Sequence, residues 1–497
     1  MSLKGKLKNL RITIRKVRYE RIIYNFANSF NDINIKNVIL DSMLEFKDSN
    51  KVTQRFIRKN LYKIKEWLSS NEFKEKYADS PFYPLLNPDE INYKYITDDV
   101  AYSLNLPLPN YYNFYFLAAS FSAHDACLDM LRFCGVQSVP HHNANFRLFF
   151  NEQYNLINYK NVDSMHKLAF FILYAGSHYK ENINDIHKFL HLTYKSDKKI
   201  LYIVRDPLER LKSALNNSYV DWHKTIEPLS IESKPKDILK NRTLYWINRE
   251  DSNFMDNISK FNFDLFAMDS ITAFLNRDKI YYLDFKKTFP KYAFETFSEL
   301  SKIFGFNPPN INHFPTTKKW GMLARILPAI INVDSKFIES NTANNGGGGG
   351  RTTLQPSSIK IFANPYNYTN TSKINITQEF IDSKYLKEDL ESLSLFVESK
   401  VEFDFIMQNM QLKQKLQEYF SDFCRALKEE IVVVQSKFVG KNDILEYLKT
   451  HKETRINLRN LLDKELSHIK ESRPDIIESW VDYNEFINMC DELDSIN

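Results

Sequence analysis

The sequence predicts an α/β fold in which a parallel sheet is flanked by helices, with further helical regions at both ends of the chain. Three observations predict it. Short apolar, β-rich runs stand at 114–119, 168–174, 200–204 and 280–284, and such unbroken runs suit strands buried on both faces. The stretches between them are long enough for crossover helices, which parallel strands require. Residues 1–95 and 373–497 carry apolar residues at helical spacing instead.

Composition sets the outer bounds. A chain of 497 residues is long enough for two or three domains with a large core. Its 43% hydrophobic and 14% aromatic content excludes wholesale disorder. The four cysteines, Cys127, Cys134, Cys424 and Cys490, show neither metal-ligand spacing nor a paired framework, which fits a reducing cytoplasm. No secretory apolar core and no run of about eighteen apolar residues is present, so a soluble protein is expected.

In chain order, residues 1–95 form a basic helical region. Lys4, Lys6, Lys8, Arg11, Arg15, Lys16, Arg18 and Arg21 face only Glu20 within the first 21 residues. A solvated helix face is the simpler reading of that run, and peripheral contact with anionic lipid at the inner face of the membrane, or with a polyanionic glycan, is the alternative. Nucleic acid is not an expected partner, since no zinc-finger, RNA-binding-sheet or recognition-helix pattern accompanies the charge. Apolar spacing in Val38-Ile39-Leu40, Met43-Leu44 and Phe46, and again in Phe56-Ile57, Leu61, Ile64 and Trp67, reads as helical. Pro81, Pro84, Pro88, Pro107 and Pro109 then break the pattern, placing a boundary near 96–109.

The α/β region is expected over 96–335. Residues 336–372 read as a linker or loop around Gly346 to Gly350, five of the chain's eleven glycines. Five consecutive glycines in an otherwise AT-biased composition also point to a guanine homopolymer in the gene, a slippage-prone switch of phase-variation type; mixed glycine codons would remove that reading. Residues 373–497 read as an accessory helical region with stripes such as Leu412, Leu416, Tyr419, Phe420 and Leu458, Leu461, Leu462, Leu466, without candidate chemistry.

Two segments carry the functional signal. In the first, the strand at 200–204 runs into Arg205-Asp206-Pro207, where Pro207 stops the strand and can open a helix. Arg205 therefore stands at the strand's carboxyl end. Ser213, eight residues on and expected about one turn into the helix, shares its side, so a guanidinium fork and a hydroxyl can converge on one phosphate; taken alone, an arginine at a strand end reads more simply as a structural ion pair. Arg210 and Lys212 flank Ser213; the simpler reading is of solvent-facing charges, and the alternative is that one of them helps to hold the phosphate. In the second segment, the strand at 114–119 leads through a turn, Ser120-Phe121-Ser122-Ala123-His124-Asp125-Ala126, into a helix over 127–134 that ends at Gly135. Such a strand, loop and helix N-terminus present backbone N–H groups to an anion.

With these two segments the chain resembles the nucleotide-dependent sulfotransferases, which have a P-loop-like parallel sheet. Arg205, Pro207 and Ser213 match the family's segment for the 3′-phosphate, and the turn from Ser120 to Cys127 its 5′-phosphosulfate loop. The run 279–285, with the helix 292–304 and Gly305-Phe306, is similar to the family's late strand and helix. The likeness covers about 110–310. It implies a 3′-phosphonucleotide donor bound by Arg205, Ser213, Ser120, Ser122, Ala123, His124, Asp125, Ala126 and Cys127, and no required metal.

One departure stands out. The family's loop carries a lysine, and here Ser122-Ala123-His124-Asp125-Ala126 has none; His124, when protonated, is the nearest substitute. The chain is also similar to capsule-locus proteins of Campylobacter-like bacteria labelled sugar transferases, some thought to transfer O-methyl phosphoramidate from a 3′-phospho-cytidine diphosphate donor. Either resemblance implies a transferase moving a sulfuryl-like or phosphoramidate group to a sugar hydroxyl of a surface polysaccharide, the donor being 3′-phosphoadenosine 5′-phosphosulfate or 3′-phospho-CDP-methyl phosphoramidate.

Such a transfer needs a base near the acceptor proton. His178, just past the strand at 168–174, is the first candidate, with His124 and the pair His141 and His142 after it. Adjacent imidazoles rarely ligate one ion, and no third ligand is spaced nearby, so no metal site is expected. Lys318, Lys319 and Trp320 fall where that fold returns a basic loop to the nucleotide. Two other classes stay open: a non-catalytic protein binding nucleotide or glycan, for which the missing lysine argues, and a sugar-nucleotide glycosyltransferase, for which no Asp-x-Asp motif stands at a strand end.

Overall fold

The computed structural model describes residues 3–495 apart from 78–79, 109–111, 138–144, 160–168, 175–182, 195, 217–227, 241, 243–267, 273, 312–313, 315–320, 339–355, 357, 367–372 and 388–389. The protein is a mixed helix and sheet fold with a small parallel sheet and helical ends. It opens with α1 (Leu3–Ala27), α2 (Ile33–Leu44) and α3 (Lys51–Ser69). Asp32 and Asn50 each cap a helix by accepting two backbone N–H bonds, which fixes where α2 and α3 begin.

The α/β part follows as β1 (Phe114–Ala119), α4 (His124–Phe133), α5 (Phe146–Tyr159), β2 (Ala169–Tyr174), α6 (Ile183–Thr193), β3 (Lys199–Val204), α7 (Pro207–Leu215), β4 (Pro228–Ser230), β5 (Ile280–Asp284) and α8 (Pro290–Phe304). Four of these strands form a sheet of order β2-β1-β3-β5. Every residue of β1 is buried, and so is all of β3 beyond its first residue, as a strand covered on both faces must be. The expected strands thus stand where their apolar runs placed them, and α8 ends at Gly305, whose φ of 75° makes the left-handed C-terminal cap.

The chain divides into two compact units. The first comprises Met1–Leu117, Gln137–Leu201 and Met268–Tyr281. Within it Tyr19, Ile23, Ile39, Met43 and Ile57 are buried, and the Tyr19 hydroxyl donates to Met43 O at 3.0 Å. Trp67 is buried with its Nε1 donating to Pro84 O at 2.9 Å, so the proline-rich stretch after α3 is packed chain. Arg147 spans Glu45, Asp99 and Ser103 at 2.9, 3.3 and 3.1 Å.

The second unit comprises Ala118–Val136, Tyr202–Ala267 and Tyr282–Asn497. It holds a second sheet that the sequence did not announce, made of β4, β6 (Ala329–Val333), β7 (Ile359–Asn364), β8 (Ile374–Asn375) and β9 (Ser394–Val397) in the order β4-β6-β7-β9-β8. β4 runs parallel to β6, and the other pairs are antiparallel. Along β7, Ile359, Ile361 and Ala363 are buried while Lys360 is exposed. Those inward residues share one core with Leu412, Leu416, Phe420, Phe423 and Leu427 of α9 (Met410–Ser436). β7 lies inside the stretch expected as a linker: its period-2 pattern of burial makes it an interior strand, and Gly346 to Gly350 lie outside the described residues.

The helices that follow include α10 (Lys441–Thr450), α11 (Lys452–Glu465) and α12 (Val481–Ser495). No helix among the described residues is long and apolar enough to cross a membrane.

Candidate functional site

The site grows from the end of β1. After Ala119 the chain turns within four residues, with Phe121 at φ 63° and Ala123 at φ 65°. A side chain in that left-handed region costs roughly 1–2 kcal/mol, and this glycine-free loop does so twice. Ser122 sits between them, buried, and both its N–H and its Oγ donate to Ala119 O, at 3.2 and 2.6 Å. The serine thus locks the reversal that aims α4.

Ala123 is the N-cap of α4 and makes no side-chain cap hydrogen bond. The helix starts at His124, earlier than expected, so His124, Asp125 and Ala126 form its first turn and only Ser120 to Ala123 form the loop. Cys127, expected at the end of the anion-facing turn, lies within α4. Its N–H donates to Ala123 O at 3.2 Å and its thiol is buried, with burial pushing the thiol pKa up, so it belongs to the helix and core instead of the anion-facing loop. His124 Nε2 lies 3.4 Å from Asp125 Oδ1. A carboxylate in the first turn competes with an incoming anion, a feature of this loop that distinguishes it from a lysine-bearing one.

The end of β3 meets this loop. Arg205 donates through Nη1 to Phe121 O at 3.0 Å and through Nε to Glu209 Oε2 at 3.2 Å, and its guanidinium lies 4.3 Å from the Phe285 ring centroid. Burial lowers the pKa of Arg205, and Glu209 works against that. Arg210, expected to face solvent, is buried: its Nε donates to Ser120 O at 3.2 Å. Burial pushes its pKa down to about 10, with Arg205 acting the same way and Tyr202 and Glu465 opposing. Two guanidinium groups therefore grip successive carbonyls of one turn, about 85–90 residues away in the chain.

Asp206 sets the direction of this arrangement. Its Oδ1 caps α7 through Leu208 N at 2.9 Å and Glu209 N at 3.4 Å, and its Oδ2 accepts from Asp482 N at 3.0 Å and Tyr483 N at 3.1 Å, in the first turn of α12. One carboxylate caps two helices. The C-terminal region, expected to be accessory, thus braces the site, and Lys212 lies 3.9 Å from Asp482 Oδ2. The N-cap before proline was readable as a helix-start signal, and Glu209 stands four residues from Arg205 at ion-pair spacing.

Ser213 is partly buried in the second turn of α7, four residues past Glu209 on the same helix face. Ser120 and Ala126 are partly buried. His178, His141, His142, Lys318, Lys319 and Trp320 lie outside the described residues. Among the described residues no group of three His, Cys, Asp or Glu side chains is placed to hold a metal ion.

In the strand order β2-β1-β3-β5 the chain leaves β1 toward one edge and later returns to its other side with β3. Ligands of open α/β sheets bind outside the carboxyl ends of strands at such a reversal. Ser122 lies in the loop after β1, Arg205 at the end of β3 and Arg210 in the helix that follows it, so the fold and site define an α/β protein with an arginine-braced turn at its topological switch point. Residues 282–493, less than half of the chain, match the model of a family described as a protein of unknown function, DUF2972. No curated protein and no solved structure matches the chain. The matched stretch starts where the last segment of the second unit starts, at Tyr282, and includes the α12 residues that bind Asp206.

Proposed function

We propose that this protein is a transferase that moves a sulfuryl-like or O-methyl phosphoramidate group from a 3′-phosphonucleotide donor to a hydroxyl of a capsular or surface polysaccharide sugar. The observation that carries the reading is the meeting of Arg205 and Arg210 with Phe121 O and Ser120 O, which joins the two phosphate-type segments at the switch point. Arg205 and Ser213 would hold the 3′-phosphate, and the Ser120 to Ala126 segment the reactive end, with His178 as the base. Glu209 occupies the Nε position that a phosphate oxygen would take, so donor loading exchanges one anion for another at Arg205.

Calorimetry with adenosine and cytidine 3′,5′-bisphosphates tests the assignment. Arg205→Ala should weaken binding by about 1.5–3 kcal/mol, the worth of hydrogen bonds to a charged group. Unchanged affinity would reject Arg205 as the phosphate ligand. Asp125 in the first turn of α4 favours a second reading, a non-catalytic nucleotide- or glycan-binding protein. Turnover of a defined donor and acceptor by the purified protein separates the two.

A further inference from the structure

We propose that the outer face of α1 docks on an anionic lipid surface, an inference independent of the transfer chemistry. Leu10, Ile14, Val17 and Tyr24 are 56%, 58%, 58% and 49% exposed. Their spacing of four, three and seven residues places them on one stripe of the helix. The opposite side is occupied: Tyr19, Ile23 and Ala27 are buried, and Tyr19 is tied to Met43. The apolar stripe is therefore the helix's second face, left uncovered after the first has packed.

The charge around it selects the partner. Arg11, Arg18 and Arg21 are exposed beside or within the stripe and make no ion pair among the described residues, whereas Lys16 pairs with Asp48 and Glu20 with Lys47. The first 69 residues contain sixteen Lys and Arg against six Asp and Glu, twice the net positive charge of the whole chain. A second copy of α1 fits poorly: a parallel pair would set Arg21 against Arg21 in the seam itself, and an antiparallel pair would set the two Arg11 and Arg18 rims against each other. A soluble polyanion would satisfy the arginines and leave the stripe wet. An anionic bilayer satisfies both, taking Leu10, Ile14 and Val17 into the acyl boundary, Tyr24 to the headgroup level and the arginines to lipid phosphates.

Co-sedimentation of the full chain with neutral phosphatidylcholine vesicles, and with vesicles containing phosphatidylglycerol, tests this. Binding is expected to the anionic vesicles only, to weaken with salt, and to disappear in Ile14→Glu/Val17→Glu, whose exposed positions leave the core intact by circular dichroism. Arg11→Gln/Arg18→Gln should lower the partition coefficient about 30-fold, from about 1 kcal/mol per charge near the surface. The proposal is overturned by equal binding to both vesicles, by no binding to the anionic ones, by retention in the double glutamate variant, or by a wild-type dimer in sedimentation equilibrium that this variant dissolves.

Discussion

Asp206 accepts a hydrogen bond from the backbone N–H of Tyr483 at 3.1 Å across 277 positions of sequence, while its other oxygen caps the helix that Pro207 opens. A single side chain thus fixes the start of α7, which carries Glu209, Arg210 and Ser213, and the start of α12. Asp206→Ala removes both caps and should cost about 2–4 kcal/mol, from about 1–2 kcal/mol per cap. Asp206→Asn keeps an acceptor for one helix only and should fall between. Urea denaturation of the three proteins checks the order.

The same carboxyl gives a pH dependence. Burial raises its pKa to about 6, against the backbone bonds from Tyr483 and Leu208 that lower it. A folded-state value above the ordinary one near 3.9 means the native state binds the proton more tightly than the unfolded chain. Its contribution is therefore fully present below about pH 4 and is lost as pH rises through about 6. Wild type should lose stability relative to Asp206→Asn across that window, seen by denaturation at pH 4, 5, 6 and 7. A constant difference between the two would show that Asp206 titrates normally.

Ala123 pays for a left-handed conformation that glycine adopts freely. Ala123→Gly should raise stability by about 0.5–1 kcal/mol, with a small rise in Tm. A fall in Tm would mean that the methyl group is needed at the turn.

Glu209 neutralises the guanidinium that the proposed function assigns to the 3′-phosphate. Glu209→Gln should therefore tighten binding of the bisphosphonucleosides roughly tenfold, about 1.4 kcal/mol, in the calorimetry that Arg205→Ala weakens. Weaker binding would show that Glu209 orients Arg205 toward the ligand instead of competing with it.

The α/β framework was legible because its signals are local. Unbroken apolar runs gave β1 and β3, and Pro207 gave the start of α7, whereas the end of α8 at Gly305 came with the family resemblance. Arg205 at a strand end followed from the same arithmetic. Arg210 was misread because burial of a cation depends on what folds over it, here Ser120 O and the surroundings of Tyr202, neither adjacent in sequence. The second sheet was missed for a related reason: β7 alternates over only six residues, next to a glycine tract, and its partners β6 and β9 lie on either side of it in the chain. The second cap of Asp206 had no local trace at all, since its donors are backbone N–H groups that carry no residue identity.

The reach from Asp206 to Tyr483 also orders events during synthesis. A ribosome that has completed β1, β3 and the arginine pair has still to deliver the peptide groups that moor them, for these stand 276 and 277 positions after Asp206. Products of premature termination before position 482 would display the turn and its guanidinium groups without their anchor, and quality-control proteases would meet a half-tethered helix where the finished molecule presents a closed joint.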